Sequence, residues 1–289
     1  MIYFLIFLQQ AIASMTHIIG QDIARESSPP LILLLRATIA SAVLLPVTMY
    51  IERRWNLLDG WTKKDILRLF VIGFLNIPVN QFLYLEGLQF TTPANSALLY
   101  ALTPVIVFIC ALIVHRERES WKKWLGIALA LGGTALLIFE RGASFESTYT
   151  KGNILIFIAV IAWSLFTFLG KPLIEKYGAL RTTALHMAAG TILYLPMGFF
   201  LSDISEITKL SSTSWWEVMY LAIGASCINY FLWYYALGKL ETSKVAIFQN
   251  LQPVLTTAIA LFLGRVILTA ELFGGGLVTL IGILIVQFA

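Results

Sequence analysis

Runs of apolar residues long enough to cross a bilayer dominate this chain. A helix through the hydrocarbon core needs about 20 mostly apolar residues. Ten stretches meet that requirement: 2–21, 31–51, 66–88, 93–114, 121–139, 153–171, 181–201, 215–238, 242–263 and 270–288. Inside several of them the polar residues recur at three- and four-residue steps, the period of an α-helix and not of a strand. The pattern predicts an all-α polytopic membrane protein with ten transmembrane helices. The connections are too short for a folded soluble domain, so the function is expected inside the membrane. The first run starts at residue 2 with no basic segment before it and no small-residue cleavage site, and is read as a retained span.

Composition narrows the class further. Of 289 residues, 58% are hydrophobic and 12% charged, against roughly 45–50% and about 25% in soluble domains. Mean hydropathy is +0.82. A soluble enzyme, a disordered chain and a secreted disulfide scaffold are excluded by those values. The two cysteines, Cys110 and Cys227, each sit in an apolar run. A net charge of +4 is too small for a nucleic-acid surface, and no nucleic-acid partner is expected. Where the basic residues fall is more informative than their number. With the N-terminus cytoplasmic, fourteen of the 20 Lys and Arg residues lie in inner connections, Arg53, Arg54, Lys63, Lys64 and Arg68 forming the densest group. Five lie in outer connections, so the positive-inside rule places both termini in the cytoplasm.

The chain also repeats itself. A shift of 149 pairs residues 80–139 with 229–288 and gives fifteen identities, among them Asn80/Asn229, Pro104/Pro253, Gly126/Gly275 and Gly133/Gly282. Earlier spans match at a shift of 150, with Ser14/Ser164, Gly20/Gly170 and Pro46/Pro196. Asn, Pro and Gly matches carry weight because each solves a particular problem inside lipid. Two halves follow, 1–141 and 142–289, each with five spans. Five is odd, so the second half is expected to enter the membrane from the opposite side, the inverted-repeat design of many secondary transporters.

Residues 91–137, TTPANSALLYALTPVIVFICALIVHRERESWKKWLGIALALGGTALL, and their copy at 242–286 resemble helices four and five, and nine and ten, of the EamA family in the drug/metabolite transporter superfamily. The resemblance covers nearly the whole chain. It implies an inner-membrane permease, often an exporter of amino acids or other small metabolites. It also implies a central cavity lined by spans 1, 3, 4, 6, 8 and 9. The family commonly ends its fourth and ninth helices with Gly-Glu, where this chain has Arg116-Glu117 and Gly264-Arg265. The Trp common in the first helix is also missing, Ala13 standing opposite Trp163 of the second copy.

Polar stripes on the same six spans nominate the substrate-binding residues, because lipid-facing surfaces favour Leu, Ile, Val and Phe. They are Ser14 and His17 on span 1, Asn76, Asn80 and Tyr84 on span 3, and Tyr100 on span 4. The second copy supplies Trp163 and Thr167 on span 6, Asn229, Tyr230 and Trp233 on span 8, and Gln249 and Gln252 on span 9. Aromatic faces beside amide groups suit zwitterionic or planar solutes. Pro104 and Pro253 sit at equivalent places inside their spans and are read as hinges, since each frees a carbonyl four residues earlier. The glycines of spans 5 and 10 are read as close-packing or dimer contacts. Arg36 and His186 occupy equivalent positions in the two copies. Ionisable groups inside spans are functional candidates by default, but snorkelling accounts for Arg36 and Glu86 almost as well, and neither is placed among the substrate-binding residues.

The expectation is therefore a carrier that moves a small polar or amphipathic metabolite by alternating access, with the bilayer and the substrate as its partners. No cofactor or metal is expected, and the chain is read as a monomer or weak homodimer. A lipid or lipid-linked precursor flippase on the same fold is the runner-up. A membrane-embedded enzyme is remote: the three histidines lie apart, and neither H-E-x-x-H nor G-x-S-x-G occurs.

Overall fold

The computed structural model describes residues 1–23, 26–91, 93–115, 120–140, 146–262 and 269–289, and among them every regular element is helical. The helices are α1 (Ile2–Ile23), α2 (Pro29–Glu52), α3 (Lys63–Leu88), α4 (Pro93–Tyr100 and Thr103–His115) and α5 (Trp121–Glu140). They continue with α6 (Thr150–Tyr177), α7 (Ala179–Leu201), α8 (Ser212–Met219, Tyr220–Ile228 and Asn229–Leu237), α9 (Thr242–Ala246, Ile247–Asn250 and Leu251–Phe262) and α10 (Ala270–Phe288). Among the described residues six stretches are long and apolar enough to cross a membrane: Pro29–Glu52, Lys63–Leu88, Asn95–Ile113, Ser147–Tyr177, Ala179–Leu201 and Ala270–Phe288. The Arg116-Glu117 and Gly264-Arg265 pairs lie outside the described residues.

Local chemistry fixes several boundaries. The Thr62 side chain accepts from the Asp65 amide at the start of α3, and Thr269 does the same for Leu272 at the start of α10. Pro29 opens α2, where its missing N–H costs nothing. Gly178 alone joins α6 to α7, and its φ of +84° is a conformation that a residue with a Cβ resists.

Among the described residues four helices depart from uniform α geometry, and they form two pairs under the repeat. α3 is π-helical over Leu75–Gln81 and α8 over Tyr220–Ile228. The α3 segment contains Pro78, which has no N–H to give the preceding turn. α4 breaks at Ala101–Leu102, just before Pro104, and α9 runs as a 3-10 turn over Ile247–Asn250, just before Pro253. The carbonyls those prolines leave without an α-helical donor belong to Tyr100 and Gln249.

Packing between helices follows the same exchange. Gly126 on α5 faces the Gly282 carbonyl on α10, and Gly133 faces that of Gly275. Adding 149 to one member and subtracting it from the other turns each pair into its counterpart. Arg36 on α2 binds Ser226 on α8, while His186 on α7 binds Asn76 on α3, the same relation at a shift of 150. Ser41 and Thr191, themselves 150 apart, meet at 2.8 Å where α2 packs on α7. Gly126, Gly133, Gly275 and Gly282 thus serve contact within the chain.

Candidate functional site

Seven helices, α1, α2, α3, α4, α6, α8 and α9, line a cavity of about 100 Å³. Its lining is Gln9, Ala13, Thr16, Arg36, Asn80, Gln81, Tyr84, Tyr100, Trp163, Ala225, Asn229, Tyr230, Gln249 and Gln252. Eight of the thirteen candidates from the sequence stand there: Asn80, Tyr84, Tyr100, Trp163, Asn229, Tyr230, Gln249 and Gln252. Both copies contribute, and among the described residues no Asp or Glu lines the cavity.

The wall is held by side chains that bind one another across helices. Asn80 donates to the Tyr100 hydroxyl at 2.6 Å and to the Ala159 carbonyl at 2.8 Å, tying α3 to α4 and α6. The Tyr84 and Tyr100 rings stand perpendicular, with centroids 5.5 Å apart. Gln9 of α1 donates to Asn229 of α8 at 2.9 Å, and Gln252 donates to Gln249 at 3.1 Å. Gln9 Oε1, Gln81 Oε1 and Trp163 Nε1 are buried without a partner.

A second polar layer supports the lining. Gln81 donates to the Tyr230 hydroxyl at 3.1 Å and to Asn76 Oδ1 at 3.3 Å, and Tyr230 donates to that same oxygen at 2.8 Å. The Asn76 amide nitrogen reaches His186 Nε2 at 3.2 Å, and His186 Nδ1 lies 3.0 Å from the Thr182 carbonyl. An amide nitrogen only donates, so Nε2 accepts, Nδ1 carries the proton, and this bonding fixes the neutral imidazole. Gln81 and Tyr230 are repeat equivalents, 149 residues apart, and each faces the other.

Four candidates lie elsewhere among the described side chains. Asn76 is wholly buried behind Tyr230. Ser14 donates to the Gln10 and Gln252 carbonyls. Trp233, 1% exposed, donates to Thr167 at 3.3 Å and packs against Trp163 with centroids 5.7 Å apart. Together with Phe166 and Tyr234 it forms an aromatic layer beneath the cavity. The His17 side chain lies outside the described residues. Of the two proline positions, Pro104 and Pro253 are both buried, each one turn or less from a break in α geometry.

The lining residues absent from the candidate set are Gln9, Ala13, Thr16, Arg36, Gln81 and Ala225. Gln81 was findable only through the π segment, which brings residues five apart onto one face. Arg36 reaches inward. It is 7% exposed, and its Nε and Nη2 bind Ser226 Oγ at 3.1 and 2.9 Å. No carboxylate pairs with it among the described residues.

Known proteins share this architecture. The chain is 27% identical to the uncharacterized transporter YyaM of Bacillus subtilis over 85% of its own length and 80% of that protein's. It is 26% identical to a probable terminal-alkyne amino-acid exporter of Streptantibioticus cattleyicolor, over 74% of this chain and 71% of that one. A crystal structure of a protein 18% identical superposes with a TM-score of 0.80, covering 98% of this chain and 96% of that chain, which shows a shared fold. The profile of the EamA-like transporter family matches twice, at residues 1–139 and 150–288. Multi-pass helical architecture, internal duplication and both profile matches agree: this chain belongs to the EamA-like transporter family.

Proposed function

We propose that the protein is a carrier that exports a small polar or amphipathic metabolite, an amino acid or related solute, across the cytoplasmic membrane by alternating access. The observation that carries this reading is the cavity between the helices, to which both copies of the repeat contribute polar and aromatic side chains. The ten helices serve as ten spans in two inverted halves of five, and the exchanged contacts of the two copies support that symmetry. Such a pair of halves has two equivalent arrangements available, one open to each side.

The arrangement described is closed toward the cytoplasm, taking the N-terminus as cytoplasmic. Below the cavity lies the layer of Phe166, Trp233 and Tyr234. Beyond it, Lys123 pairs with Glu241 at 3.0 Å, joining α5 to the start of α9, and Lys171 donates to the Leu240 carbonyl. Lys176 pairs with Asp65 at 2.6 Å, joining α6 to α3. Opening inward requires these contacts to break. The relative named as an amino-acid exporter supports the substrate class.

Counterflow into proteoliposomes tests the reading, using labelled amino acids, nucleosides and sugars with the unlabelled solute inside. Saturable exchange of one class is the expected result. No exchange by an intact, monodisperse preparation, together with scrambling of labelled lipid, would replace the carrier by a flippase.

A further inference from the structure

We infer that Arg36 is the anion anchor of the cavity, so that the transported solute is recognised through a free carboxylate; this rests on the carrier reading above. Inside a membrane protein an ionised guanidinium is costly unless something answers its charge. Arg36 is 7% exposed, lines the cavity, and has only the neutral Ser226 hydroxyl as its described hydrogen-bond partner. The hydroxyl takes Nε and Nη2 and so fixes the plane of the fork. It offers no negative charge.

The equivalent place in the second copy shows what a closed contact looks like. There His186 is wholly buried, both ring nitrogens have partners, and it does not line the cavity. The repeat has thus kept a packed, neutral group on one side and a cation facing the cavity on the other. Among the described residues Arg36 is the one cation in the lining, and no carboxylate lines it. A site with that charge pattern selects a negative group and provides no acidic partner for an ammonium, which makes the carboxylate required and the amine dispensable. Tyr84, Tyr100 and Trp163 in the same lining offer aromatic surface for an apolar side chain.

Four probes of nearly equal shape separate the charges: isovalerate, valine, valinamide and isovaleramide. Thermal unfolding of the purified full chain in detergent reads binding, because a ligand that binds only the folded state raises the transition temperature. Isovalerate and valine should stabilise the wild type, and the two amides should bind about ten- to hundredfold more weakly, the range for a charge-assisted hydrogen bond. Arg36→Gln should remove that preference, and Arg36→Lys, which keeps the charge without the fork, should weaken it. If Arg36→Gln does not fold, unchanged carboxylate affinity in Arg36→Lys overturns the inference. So does stabilisation by isovaleramide equal to that by isovalerate, a carboxylate preference that survives in folded Arg36→Gln, or failure of both carboxylates to bind the wild type. Counterflow with the same probes separates the two claims. Carboxylate binding without exchange would sink the carrier reading and leave the anion site, whereas exchange of a neutral solute untouched by Arg36→Gln would do the reverse.

Discussion

Replacing Gly133 by alanine should destabilise the protein, whereas the same change at its neighbour Gly132 should not. A methyl group on Gly133 would lie 2.5 Å from the Gly275 carbonyl oxygen, 2.5 Å from the Thr279 amide and 2.6 Å from Thr279 Oγ1. Ordinary contact is 3.4–4 Å, so α5 and α10 must part by about 1 Å, and backbone atoms have no rotamer by which to yield. Overpacking of this kind costs about 1–3 kcal/mol, against which alanine returns about 1 kcal/mol of helix propensity. Nothing lies within 4 Å of a methyl on Gly132 or Gly274, so alanine there keeps the propensity gain alone. The two sets should differ by about 1–3 kcal/mol. Gly282, the repeat partner of Gly133, should behave like it, because its methyl would meet the Ala130 amide and lie 2.6 Å from the Gly126 carbonyl oxygen. Unfolding in mixed micelles, followed by tryptophan fluorescence, measures all four variants. Equal effects of alanine at Gly132 and Gly133 would refute the close α5–α10 contact.

Other perturbations separate packing from transport. Trp233→Ala empties a side chain 1% exposed and should cost about 3–5 kcal/mol, seen as loss of monodisperse protein, whereas Asn80→Ala should lower counterflow more than yield. Loss of yield and flux in equal measure for Asn80→Ala would leave it a packing role. Ala13→Trp should fill the cavity from the first copy with the residue the second copy carries at Trp163, abolishing counterflow while the unfolding transition stays sharp; undiminished flux would place the pathway elsewhere. Glu206, in the connection after α7, is held below the usual carboxylate range, chiefly because the Ser28 amide donates to it at 2.9 Å. A depressed folded value means that its stabilisation is complete above the unfolded value of about 4.3 and disappears as pH falls through the folded one. Wild type should therefore lose more stability than Glu206→Gln between pH 5 and 3, and parallel loss on an unfolding titration would contradict the contact.

What the sequence revealed follows from what each signal measures. Hydropathy and polar period report which segments are helical and which faces avoid lipid, and on that basis Asn80, Tyr100, Asn229 and Gln249 were placed around one cavity. They do not report how far along a helix the cavity extends. Trp233 and Thr167 lie on the same inward stripes, one layer too deep. The π segment over Leu75–Gln81 is the second cause: an α wheel turns Gln81 away from Asn76, and only the wider turn allows their 3.3 Å bond. Arg36 failed for a different reason. Its sequence position allowed snorkelling, and only the contact with Ser226 shows that the guanidinium turns inward.

Two-sided accessibility of the cavity tests the central claim most directly. Ala225 lines it, so Ala225→Cys, in a chain with Cys110 and Cys227 replaced, offers one thiol to membrane-impermeant reagents added from either face. Alternating access predicts labelling from both faces, slowed on both by transported solute. When Lys123 and Glu241 are replaced by cysteines and joined, inner labelling should stop and outer labelling should persist. A thiol never reached from the cytoplasmic face, or one still reached from it with that gate closed, would contradict the account.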